Sequence, residues 1–149
     1  MLMALPQAID AQLKRDSGIN FFEYGILVAL ARPEDHTVRM SNLALMSGGS
    51  LSRLSHAITR MEKQGWVTRK VTLAETRCIE AMLTDEGVKL LESAAPGHVR
   101  EVRRLVIDVL SAERLDDVGE ACRAVVHAAS PETGAVLDST YQAVIEGAR

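Results

Sequence analysis

Cysteine is nearly absent from this chain. Its two residues, Cys78 and Cys122, form no CxxC pair, which excludes a zinc ribbon and a disulfide framework. No run of about 18 uninterrupted apolar residues is present, so no transmembrane helix is expected. The segment Met1–Pro6 lacks a charged start and a long apolar core, so a secretory signal is not expected either. GxSxG, P-loop, Gly-rich dinucleotide and HExxH motifs are all missing, so neither an enzyme nor a cofactor is expected. The four histidines, His36, His56, His98 and His127, are scattered without ligand spacing, which gives no metal site. Internal repeats and low-complexity tracts are likewise absent. What remains is 149 residues, 47% hydrophobic and 25% charged. That is enough to bury about 68–70% of the unfolded surface, so a single cytoplasmic domain is expected.

The net charge of −3 argues at first against a polyanionic partner. Its distribution argues the other way. Residues 39–80 carry seven Lys and Arg against three acids, while the segments on either side are net acidic. A basic middle between acidic ends marks where a polyanion would dock, although a solvated basic face is the commoner cause of such a pattern.

Helical periodicity dominates the chain. Leu5, Ile9 and Leu13 predict a helix over 5–16, and Asn20 three residues before Glu23 predicts a capped helix over 21–31 that stops at Pro33. Residues 33–38 read as a polar connection. Met40–Met46 follows as a short helix with Leu43 and Met46 inward, closed by Gly48-Gly49. Ser50 is the expected N-cap of a helix reaching Gln64, with Gly65 just past its end. The period then shortens. Trp66–Leu73 and Cys78–Leu83, separated by Ala74-Glu75-Thr76-Arg77, predict a β-hairpin. Thr84 caps a further helix, which Pro96-Gly97 is expected to kink or break. Ser111 opens a last strong helix with Leu115, Val118, Cys122 and Val125 at helical spacing. A further helix is possible over 133–147, where Leu137, Tyr141 and Val144 recur.

Function is concentrated in the segment 50–64. At about 100° per residue, Leu51, Leu54, Ala57, Ile58 and Met61 fall on one side. The other side carries Ser52, Arg53, Ser55, His56, Thr59, Arg60 and Lys63, with no acid before Glu62. Arg can reach two acceptors on guanine, and Ser, Thr and His can donate to base edges or phosphates. A polar face alone is ordinary. Its context is more specific: short helix, glycine turn, helix, then a hairpin carrying Arg69, Lys70 and Arg77.

The words FEYGILVALA (22–31), MSNLALMSGGSLSRLSHAITRMEKQGWVTRK (40–70) and LTDEGVKLLESAAPGHV (83–99) resemble the MarR family of winged helix-turn-helix regulators over about residues 19–129. The resemblance implies a mainly α fold with a small β-hairpin wing. It implies a DNA-binding core over 19–97 and dimerisation helices over 1–18 and 98–149. It also implies a homodimer on a pseudo-palindromic operator, acting as a repressor released by a small phenolic or lipophilic effector. Together with the cap and wing positions, the implied DNA-binding set is Ser50, Ser52, Arg53, Ser55, His56, Thr59, Arg60, Lys63, Arg69 and Arg77. A winged module that binds protein without DNA is the alternative. The wing reads Glu75-Thr76-Arg77 where the family usually has Asp-x-Arg. The early helix is short and the chain continues past 130, so residues around Leu137–Ile145 are expected to add dimer contact. Both cysteines are read as buried or inert thiols. Phe21, Phe22 and Tyr24 are read as core, with the lining of a ligand crevice as the alternative, and Trp66 as the plug between the second helix and the wing.

Overall fold

The computed structural model describes residues 4–72 and 78–147. Its elements run α1 (Ala4–Ser17), α2 (Phe21–Ala31), β1 (Thr37–Arg39), α3 (Met40–Ser47), α4 (Leu51–Lys63), β2 (Val67–Thr72), β3 (Cys78–Leu83), α5 (Asp85–Val102), a π-helical turn (Arg103–Ile107), α6 (Ala112–Ala129) and α7 (Pro131–Gly147). Two compact units divide the chain, one ending at Val106 and the other beginning at Ile107.

In the first unit α2 is the central helix. Asn20 caps it reciprocally: Asn20 Oδ1 accepts from the Glu23 backbone N–H at 2.9 Å, and Glu23 Oε2 accepts from the Asn20 N–H at 3.0 Å. Two orphan donors of the first turn are thereby satisfied. Tyr24, Ile26, Leu27, Ala29 and Leu30 are buried on its length, and with Leu13, Ile19, Leu43, Leu54, Ile58, Met61 and Val67 they form one aliphatic core. Each buried Leu, Ile, Val or Met among them contributes roughly 1.5–3 kcal/mol of transfer free energy. Of the three aromatics expected inside, only Tyr24 is buried. Phe22 is half-buried and Phe21 is exposed, because α2 turns its first residues toward an open cleft.

The polar connection after Pro33 holds an unexpected strand. β1 pairs antiparallel with β3 through Thr37↔Met82, Val38↔Ala81 and Arg39↔Glu80, giving the sheet order β1-β3-β2. Three residues are too few to display a period of two, so only the distant partner reveals the strand. α3 buries Leu43 and Ala44 and leaves Met46 half-buried. It ends on Gly48 in the left-handed conformation (φ 64°), which a residue with a Cβ adopts at a cost.

Thr84 caps α5 as expected, its Oγ1 accepting from the Gly87 N–H at 3.1 Å. Gly87 itself is required sterically, since a Cβ there would run into the Trp66 carbonyl oxygen and the Leu83 side chain. That close approach joins the start of α5 to the start of β2. Of the kink or break expected at Pro96-Gly97, the break is absent: α5 is continuous to Val102. Packing against α1, where Gly97 lies beside the buried Gln12 amide, holds the helix across the missing N–H. The irregularity comes later, in the π-helical turn.

The second unit is a helical hairpin. Ser111 caps α6 by accepting from the Arg114 N–H. Asp138 of α7 bonds His127 Nε2 at 2.9 Å and pairs with Arg123 at 3.3 Å, tying α7 to α6. α6 has no buried residue. Val118 and Val125 are exposed, as is Leu137 on α7, and Cys122 is exposed rather than buried while Cys78 is half-buried. Most of the stripe read from the sequence is therefore exposed among the described residues. The side chains of Tyr141, Val144 and Ile145 lie outside the described residues.

Candidate nucleic-acid interface

α4 is amphipathic in three dimensions as well as in sequence. Leu54, Ala57, Ile58 and Met61 are buried; Leu51, which shares their side of the wheel, is 56% exposed because it lies in the first turn, beyond the core. On the opposite face Ser52, Arg53, Ser55, His56, Thr59, Arg60 and Lys63 are all exposed. Ser50 is the N-cap, its Oγ accepting from the Arg53 N–H at 3.2 Å, so its role in the helix is to start it. The helix dipole favours phosphate at this end.

Several polar groups of this face already have partners inside the protein. Arg60 donates from Nε and Nη2 to Glu23 Oε1 at 3.1 and 2.9 Å. Glu23 is a buried carboxylate whose other oxygen closes the α2 cap. The Arg60 side chain is 57% exposed and that of Glu23 only 9%, which puts removal of one partner at roughly 2–3 kcal/mol, between an exposed pair and a fully buried one. Arg53 lies over the Phe22 ring, its guanidinium carbon 4.1 Å from the centroid, a cation–π contact of about 0.5–1 kcal/mol at an exposed site. The first turn of α2 therefore holds both arginines of α4.

The wing strand reaches the same helix from the other side. Arg69 Nη2 donates to the Ser55 carbonyl and to Thr59 Oγ1, each at 2.8 Å, and Arg69 Nη1 pairs with Glu62 at 3.2 Å. Thr59 Oγ1 also donates to the Ser55 carbonyl. Lys70, across the sheet from Glu80, points to the other face of β2. Arg77, the expected wing-tip contact, lies outside the described residues, with Leu73 through Thr76.

Between α1, α2 and α4 lies a cavity of about 870 Å³, lined by Pro6, Phe21, Phe22, Met46, Lys14, Arg53, His56 and Arg60 among others. Asp10 on its wall accepts from Lys14 and from the Phe21 N–H, and these donors, Lys14 first, hold its carboxyl below the usual carboxylate range. Of the aromatics weighed as crevice lining, Phe21 and Phe22 do line this cavity, whereas sequence reasoning missed Glu23 as a site residue. The capping pattern flagged Glu23, but nothing local connects it to Arg60, 37 positions away. Among the described residues no helix is long and apolar enough to cross a membrane, and no cluster of metal-ligating side chains is found.

A short helix, a glycine turn, a second helix with an exposed cationic face and an antiparallel two-stranded wing define a winged helix-turn-helix protein. No family model matches the chain. It is 42% identical to Sco3205 of Streptomyces coelicolor, a MarR family transcriptional regulator solved in complex with DNA. The superposition covers 87% of this chain and 81% of that one at a TM-score of 0.84. AbsC, another MarR family regulator of that organism, is 35% identical, with 85% and 84% covered and a TM-score of 0.79. The transcriptional repressor MprA of Escherichia coli is 27% identical over 85 residues, 57% of this chain; the match spans about half, 48%, of that protein's length. The chain belongs to the MarR family of transcriptional regulators.

Proposed function

We propose that the protein is a homodimeric, sequence-specific binder of double-stranded DNA that represses transcription and is released by a small molecule. One observation carries the reading: α4 presents an exposed row of Ser, Arg, His, Thr and Lys opposite a side on which Leu54, Ala57, Ile58 and Met61 are buried. A helix of that kind, following a glycine turn, fits the major groove with its N-terminal residues at base edges. The Streptomyces relative solved on DNA supports the same use of the fold. Ser52, Arg53, Ser55, His56, Thr59 and Lys63 form the candidate contact row, to which the family resemblance of the sequence adds Arg77.

Dimerisation is supported by the uncovered apolar side chains of the second unit, Val118, Val125 and Leu137. A second copy is the simplest cover for such a stripe. The cavity beside α4 suits a small phenolic or lipophilic effector. Its aromatic and aliphatic walls would take the ring or chain, and Lys14, Arg53 and Arg60 a polar or anionic group.

The test is selection of bound duplexes from a random pool by the purified protein. The expected product is a symmetric motif with half-sites about 10–10.5 bp apart, or a multiple, and affinity falling steeply with salt. Failure to retain any duplex in dilute buffer would overturn the proposal.

A further inference from the structure

We infer that Arg60 and Arg69 are positioning residues, not DNA contacts: they brace α4 from opposite sides so that its remaining polar side chains meet the duplex at a fixed angle. The inference rests on the DNA-binding reading above and reassigns two members of the DNA-binding set that the sequence resemblance implied.

Arg60 is tied to α2. Two of its N–H donors converge on one oxygen of Glu23. That carboxylate cannot follow Arg60 outward, because it is buried and its second oxygen is held by the Asn20 N–H. For Arg60 to swing to a phosphate or a base, a buried carboxylate must lose its cation. Arg69 is tied in turn to α4. Its guanidinium spans the Ser55 carbonyl, Thr59 Oγ1 and Glu62, one turn and more of the helix. It also satisfies a carbonyl that already accepts from Thr59. Arg60 is thus held through two N–H donors by one buried carboxylate, and Arg69 by three acceptors along α4. Rotating α4 about its axis would break the Glu23 tie on one flank and the wing tie on the other. The two ties together set its roll, which decides which of Ser52, Arg53, His56 and Lys63 face the groove.

Counterion release separates this from direct contact. A cation that neutralises a phosphate contributes about 0.9 to the slope of log affinity against log salt, whereas a brace contributes nothing to it. The experiment compares the full-length protein with Arg60→Ala, Glu23→Gln, the double variant and Arg69→Ala, on a selected duplex and on random duplex over a range of salt. Glu23→Gln keeps the cap, since Gln serves at that position. Thermal melting of each variant without DNA establishes the folded fraction. Arg60→Lys is the fallback should Arg60→Ala not fold, because a single ammonium keeps the charge but not the two-point tie.

The expected result is a fall of about tenfold in the ratio of specific to random affinity for Arg60→Ala, Glu23→Gln and Arg69→Ala, with the salt slope unchanged. The double variant should lose no more than either single within about twofold, because both remove the same tie. A slope lowered by about 0.9 in Arg60→Ala or Arg69→Ala would overturn the brace and make that residue a phosphate contact. Additive losses for Glu23→Gln and Arg60→Ala would overturn it as well, as would an unchanged ratio in folded variants. Were the wild-type chain to bind no duplex, both this inference and the DNA-binding reading would fall; with wild-type binding intact, the outcomes above judge the braces alone.

Discussion

Gly87 and Gly25 both lie within helices, and helix propensity alone treats them alike: Ala should be better than Gly by about 0.5–1 kcal/mol at either position. Their surroundings differ. A Cβ on Gly25 meets nothing within 4 Å, whereas one on Gly87 runs into the Trp66 carbonyl oxygen and lies 2.6 Å from Leu83 Cδ1. The Leu83 methyl can rotate away, but the carbonyl cannot. It accepts from the Thr84 N–H at 3.1 Å, and Thr84 is the cap of the same helix. Relief therefore requires the first turn of α5 to move away from β2, which costs overpacking strain of about 1–3 kcal/mol and weakens a cap worth about 1 kcal/mol. Gly87→Ala is expected to destabilise the protein by about 1–3.5 kcal/mol, those two costs less the propensity gain of about 0.5–1 kcal/mol. Gly25→Ala should stabilise it by about 0.5–1 kcal/mol. Denaturant unfolding with matched slopes reads both as shifts in midpoint of opposite sign. Equal shifts, or a neutral Gly87→Ala, would refute the close approach between α5 and the Trp66 carbonyl.

Further outcomes are expected from the same structure. Ser50→Ala removes the N-cap of α4 and should cost about 1 kcal/mol of stability, with Ser50→Asp restoring most of it; a neutral alanine variant would mean that water serves the cap equally well. Arg53→Ala should weaken a selected site by about 1–3 kcal/mol while affecting random duplex far less, and an equal loss on both would reassign Arg53 to the backbone. Burial of His98, whose ring centroid lies 4.3 Å from that of Tyr24, pushes its imidazole below the ordinary value of 6.5. The unfolded chain then protonates first as pH falls, so this contribution to stability is complete above about 6.5 and is lost below it, down toward the folded-state value. The melting temperature should decline between pH 7.5 and 5.5, and His98→Gln should flatten that decline; an unaltered profile would exclude His98 as its source. Deleting residues 131–149 should raise the dimer dissociation constant in sedimentation, and an unchanged constant would remove α7 from the interface.

The interface divides along the same line as these predictions. The polar row of α4 follows from spacing, because residues three and four apart share a helix face wherever the helix is placed. What each side chain does there does not follow. Arg53, Arg60 and Arg69 look equivalent as cations in the basic middle of the chain, yet one lies over Phe22, one is held by Glu23 and one grips α4 from the wing.

The sequence by itself determined the local structure: the Asn20 and Glu23 capping box, the Ser50, Thr84 and Ser111 caps, the left-handed Gly48, and the two sides of α4. These depend on groups within about four residues of one another, so their pattern is written in consecutive letters. Tertiary structure alone decided the pairing of β1 with β3, the continuity of α5 across Pro96, the exposure of Phe21 and Cys122, and the partners of the three arginines. Each depends on a surface or an atom contributed from far along the chain, and a buried carboxylate or a covering strand leaves no periodic trace in the residues it serves.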